Sequence, residues 1–210
     1  MWTAITQFFQ SLFSSSNKSN VISDLQGWAT ANNFDYERDT KTLMHKDYDH
    51  LVFFQHGDTH QTQSLMRHRT PDLSTIVANL TLEHEGIPAS YVCYIFENTT
   101  ISLPILQLAN RESALFTAMR GSALSPISMP SELSSTHSAL CEKAQWGDRM
   151  LADTSIKSVL TSIDADSLRW VETNDCHILV LCKNFHSEPI KLGRMLFHHF
   201  AQYRYRKANP

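Results

Sequence analysis

The sequence predicts an α+β fold: a mostly antiparallel sheet with helices packed on one face, preceded by an N-terminal amphipathic helix on a Ser/Asn-rich tether. Three observations predict it. Four strand-like runs follow one another between residues 51 and 96, and strands so close in sequence pair antiparallel. Apolar residues at helical spacing recur on both sides of that block. The run Ser14-Ser-Ser-Asn-Lys-Ser-Asn20 has the composition of a linker.

Taken in order, residues 1–16 carry Trp2, Ile5, Phe8, Phe9, Leu12 and Phe13 at helical spacing, with no charged side chain. Residues 17–20 form the linker. The α+β domain spans 20–207. Ser19 or Asn20 caps its first helix, Val21, Leu25, Trp28 and Ala29 form the apolar stripe, and Asn32-Asn33 ends it. Leu51-Val-Phe-Phe54 reads as a strand, His56-Gly-Asp-Thr59 as a turn and Gln61 to His68 as the hairpin partner. Ile76 to Glu83 and Ala89 to Phe96 follow as longer strands around Gly86-Ile-Pro88.

Residues 103–120 read as a helix with Leu106, Leu108, Leu115 and Met119 on its core face, stopped at Arg120-Gly121. The Ser/Pro-rich stretch 121–136 is either a surface loop or the meeting point of two subdomains. His137 to Glu142 is a short strand and Asp148 to Ile163 a helix. Leu168 to Glu172 and Cys176 to Lys183 make a hairpin around Asn174-Asp175. The last helix runs from Glu188 to Lys207.

The chain has 210 residues, 42% of them hydrophobic and 19% charged, with a net charge of −3 when its eleven histidines are neutral. This is globular composition rather than disorder. The charge creates no global field to recruit nucleic acid, so DNA is not an expected partner. Protonation of the histidines near pH 6 reverses the sign of the net charge. No stretch approaches the ~18 apolar residues of a membrane span, and the N-terminus lacks the positive charge of a secretory signal. The four cysteines, Cys93, Cys141, Cys176 and Cys182, show no knuckle spacing and read as free thiols of a reducing compartment. Six residues of strand separate Cys176 from Cys182 too far for a disulfide. The expected location is cytoplasmic, with the membrane periphery as its extension.

Four constellations bear on function. The aromatic, charge-free N-terminal segment suits the membrane–water boundary, an apolar patch on a protein partner, including a second copy of the chain, or a fold-back over the domain's own core. The C-terminal region carries Lys183, Lys191, Arg194, Arg204, Arg206 and Lys207 against the single acid Glu188. Its basic patch, Arg194, Arg204, Arg206 and Lys207 with interleaved Tyr203 and Tyr205, fits anionic headgroups or, more weakly, RNA. His56, Asp58, His60 and His68 could converge on a metal if a hairpin closes them together, which would support a metal-dependent hydrolase. The carboxylate pairs Asp47/Asp49 and Asp164/Asp166 read as turn residues.

No nucleophile elbow or phosphate-binding glycine loop is present, and no cofactor motif. Cys176 and His177 are excluded as a Cys–His pair, because neighbours in a strand point to opposite faces. The sequence therefore points first to a non-enzymatic protein that binds a partner or a membrane surface.

Overall fold

A computed structural model describes residues 26–38, 47–55, 59–84, 87–119 and 123–202. The predicted N-terminal helix, its linker, and the residues after Gln202 lie outside these ranges. Among the described residues, nine strands form one sheet in which every pairing is antiparallel, in the order β1-β2-β3-β4-β9-β8-β5-β7-β6. The strands are β1 (Asp35–Arg38), β2 (Thr59–Arg69), β3 (Ser74–His84), β4 (Ile87–Glu97), β5 (Leu103–Asn110), β6 (Ser125–Pro126), β7 (His137–Cys141), β8 (Leu168–Asp175) and β9 (His177–Cys182). The helices are α1 (described over residues 26–31), α2 (Ala144–Ala152), α3 (Thr154–Ser162) and α4 (Glu188–Gln202). No helix among the described residues is long and apolar enough to cross a membrane.

Strands β1 to β4 form a meander. The hairpin β8–β9, although late in the chain, occupies the centre of the sheet between β4 and β5. Its residues Ile178 to Cys182 are fully buried, as expected of strands covered on both faces. Alternation divides the core in two. Val92, Tyr94, Phe96, Ile178 and Val180 pack with Ala29, Met150, Leu151, Ile156, Leu160, Leu192, Leu196 and Phe197 of the helices. Cys93, Ile95, Leu179, Leu181 and Trp170 pack on the opposite face with Tyr48, Leu51, Phe53, Phe54, Leu115 and Ala118. One face thus carries the α-helices, and the other a thin layer of tight turns. Gly193 lets α4 approach the sheet, since a Cβ there would lie 2.5 Å from ring carbons of Phe96.

Several elements differ from the sequence prediction. Leu51-Val-Phe-Phe54 is not a strand: Val52–Gln55 forms a 3₁₀ turn, because the Val52 N–H is captured by the carboxylate of Glu172 at 2.8 Å. The fourth strand of the meander is instead Asp35–Arg38, paired with β2. The predicted helix 103–120 is the strand β5 followed by the 3₁₀ turn Ala114–Ala118, capped by Ser113. Pro104 coincides with a register shift between Leu103 and Leu106, the kind of irregularity a strand needs to hold a proline. The predicted helix 148–163 breaks into α2 and α3 at Asp153, whose extended backbone ends one helix while its side chain caps the next. The hairpin turn lies one residue later than predicted: Asn174 pairs with His177, leaving Asp175 (φ 50°) and Cys176 as the loop.

Candidate functional site

The face covered by tight turns opens at one end into a polar cleft of about 560 Å³. Strand register builds its floor. Arg69 pairs with Ser74, Ser74 with Glu97, and Glu97 with His177. A polar row therefore crosses β2, β3, β4 and β9 at one level. One level inward runs the row Arg67, Ile76, Ile95 and Leu179, where the apolar core begins. Asp35, Asp47 and Tyr48 complete the walls, so cations and anions face each other across the opening.

The segment 47–55 closes one side and is fastened to the sheet at three points. Asn174 donates through Nδ2 to the carbonyl of His50 at 3.1 Å. His50 Nε2 lies 3.0 Å from His177 Nδ1, so one ring nitrogen donates and the other accepts. Deeper in, Glu172 accepts from the Val52 amide at 2.8 Å and from Trp170 Nε1 at 3.0 Å. Glu172 is fully buried. Burial pushes its carboxyl up to about 7, against the pull of the Val52, Trp170 and Phe53 N–H donors. This carboxylate sits at the start of a 3₁₀ turn, so its role is to hold the backbone.

At the mouth, His177 is half-buried between Tyr48 and His50, with ring centroids 5.6 and 4.6 Å away. Burial, and then His50, hold its imidazole below the usual range, although Glu97 and Asp175 pull the other way. Burial, with Glu97 and Asp47, pushes the Tyr48 phenol up to about 12. Cys176 Sγ lies 3.3 Å from His177 Nδ1. This corrects the sequence reading that set the pair aside: Cys176 belongs to the turn, so the strand rule of opposite faces does not apply to it. Its thiol is raised by burial, then by Asp175 and Glu97. A raised thiol beside a depressed imidazole opposes the thiolate–imidazolium pair that nucleophilic catalysis needs. The two groups are suited to binding. Ligand-type atoms of Glu97, Cys176 and His177 all lie within 4.8 Å of one another.

No protein-family model matches the chain, and no curated protein matches it. Among solved structures, the fold is similar to the crystal structure of the mycobacterial trehalose monomycolate transport factor A. The TM-score is 0.59, over 88% of this chain and 95% of that one, at 11% identity. At that identity the likeness is one of fold.

The residues singled out from sequence fall elsewhere. Trp2, Ile5, Phe8, Phe9, Leu12 and Phe13 lie outside the described residues, as do Arg204, Arg206 and Lys207. Arg194 is exposed on α4. His56 and Asp58 are also outside. His60 and His68 both belong to β2, eight residues apart, and at strand rise that is about 25 Å, so one ion cannot join them. His68 packs its ring against Phe34 at 5.1 Å. Sequence reasoning missed Tyr48, His50, Arg67 and Glu97. Nothing local marks them: strand register and a turn bring them together.

Proposed function

We propose that this chain is a non-catalytic binding protein that works at a membrane surface, as an accessory factor to a transport system. The observation that carries this reading is the whole-fold likeness to a transport factor, which extends over 95% of that protein. The sequence supports the membrane part. Trp2, Ile5, Phe8, Phe9, Leu12 and Phe13 supply an apolar wedge, and Arg194, Arg204, Arg206 and Lys207 supply cations for anionic headgroups. Two weak signals together make an anchor where one does not. Each cation near an anionic surface contributes about 1 kcal/mol, screened by salt. The protein partner docks on the cleft side, where Arg67, Glu97 and Asp47 offer both signs of charge.

Co-flotation with vesicles of phosphatidylethanolamine and phosphatidylglycerol tests this. The full chain floats at low salt and less at physiological salt. The full-length variant Phe8→Glu/Phe9→Glu/Phe13→Glu stays at the bottom with an unchanged thermal midpoint. A full chain that fails to float, or a variant that floats equally well, refutes the membrane role. A midpoint lowered by many degrees shows that the segment belongs to the core.

A further inference from the structure

We propose that the polar cleft binds a zwitterion of the phosphoethanolamine class, with its phosphate on Arg67 and Arg69 and its ammonium on Glu97 and Asp47. The register of the sheet carries the argument. Arg69, Ser74 and Glu97 stand in one row across β2, β3 and β4. Arg67 lies one level inward on the same face of β2, because alternate strand residues share a face. All four line the cleft, as does Asp47. Two arginines therefore face a carboxylate from two strands away, and the side chain between them, Ser74, is too short to fill the gap.

These charges do not neutralise one another. Asp35 stands opposite Arg67 in the β1–β2 register, and Glu97 shares a row with Arg69. Yet among the described residues no ion pair joins either arginine to Asp35, Asp47 or Glu97. Glu97 Oε1 lies 4.0 Å from His177 Nε2. Burial holds that imidazole below the usual range, so it is neutral at pH 7 and leaves the carboxylate uncompensated. Tyr48 stands between the two signs. Burial, then Glu97 and Asp47, raise its phenol, and Arg67 lowers it. The hydroxyl thus keeps its proton and donates to a phosphate oxygen.

Spacing selects the ligand. Neighbouring strands lie about 4.8 Å apart and strand side chains stand roughly perpendicular to the sheet, so the charged ends of Arg69 and Glu97 are about 10 Å apart. Charge-assisted hydrogen bonds of about 2.8 Å at each end leave about 4 Å between the two charges of the ligand. A phosphate and an ammonium joined by a two-carbon bridge span that interval. In an α-amino acid a single carbon separates the charges, which is too close, and bare phosphate or a bare amine engages one wall only. Each wall suits its group: arginine forks match phosphate oxygens, and a primary ammonium carries three N–H donors for carboxylates. The volume, about 560 Å³, lies in the range of small-molecule sites. This chemistry has two sources, a soluble phosphomonoester and the phosphodiester headgroup of a lipid. Binding of the soluble form does not rest on the membrane role.

The test titrates the full chain by calorimetry with O-phosphoethanolamine and with glycerophosphoethanolamine. The expected result is saturable binding of at least one of them, one per chain. The tighter of the two identifies the source: the monoester a soluble ligand, the diester a lipid headgroup. Without any variant, inorganic phosphate, ethanolamine and glycine each bind at least tenfold more weakly than the tighter zwitterion. Arg69→Gln and Glu97→Gln each remove charge-assisted bonds at one end and weaken binding about 10- to 100-fold. Arg149→Gln, on the helical face, leaves it unchanged. Absence of saturable binding of both compounds overturns the proposal. So does binding of phosphate or ethanolamine alone as tight as that of the zwitterion, or an affinity that either cleft substitution leaves unchanged. The titrations contain no membrane, so their failure is distinct from a failure to float.

Discussion

Replacing Glu172 by glutamine separates the two opposing effects of the buried carboxyl. Its carboxyl rises from 4.5 in the unfolded chain to about 7 in the folded protein, chiefly through burial. Between those values the folded state binds the proton and the unfolded state has lost it. Stability from this group is therefore full below about pH 4.5 and falls as pH rises toward 7. At about 1.4 kcal/mol per pH unit, the fall is about 3 kcal/mol. Glutamine abolishes that slope.

It also brings its own cost. Oε1 accepts from Val52 and Oε2 from Trp170, so the amide nitrogen must face one of these donors. One buried N–H is left unsatisfied, at about 1–3 kcal/mol. Urea unfolding of both proteins at pH 5 and pH 8 reads the two effects. The wild type is the more stable at pH 5, and its advantage shrinks or vanishes by pH 8. Taking the difference between the two proteins cancels the titration of the histidines. Parallel pH profiles, or a wild-type advantage that grows toward pH 8, would refute the account of Glu172.

Two further predictions concern the helical face. Gly193→Ala places a methyl against the buried Phe96 ring; overpacking of about 1–3 kcal/mol exceeds the gain in helix propensity of about 1 kcal/mol. The thermal midpoint falls by a few degrees in calorimetry, and a rise shows that Phe96 yields freely. Asp153→Ala removes the side-chain acceptor of the Ser155 and Ile156 amides and costs about 1 kcal/mol. Asp153→Asn keeps most of that stability in urea titration; equal damage from both substitutions excludes capping as the cause.

Much of the sheet was legible. The runs in β3, β4 and β9 are rich in branched and aromatic residues, and they fold as strands. The failures have physical causes. β5 is buried on both faces, with the polar Gln107 and Asn110 buried beside its apolar residues, so it shows no alternation to separate strand from helix. Leu51 to Phe54 also shows no alternation. What winds it into a turn is Glu172, more than a hundred residues away. The break between α2 and α3 was readable, since Asp153-Thr-Ser155 is a helix-start signature. The candidate site was hidden for a different reason. Its histidines, carboxylate and thiol have no common spacing, and Cys176 changes partners when the turn shifts by one residue.

The central position of the β8–β9 hairpin also sets the order of events at the ribosome. The chain lays down β1 to β4 and then β5 and β7, but the slot between β4 and β5 stays vacant until Cys182 has been made. Until then each half carries an unpaired strand edge toward the gap, the surface from which intermolecular sheets grow. A nascent chain stalled before Leu168 presents two such edges. Native closure is a late, long-range event that competes with aggregation for as long as the gap remains open.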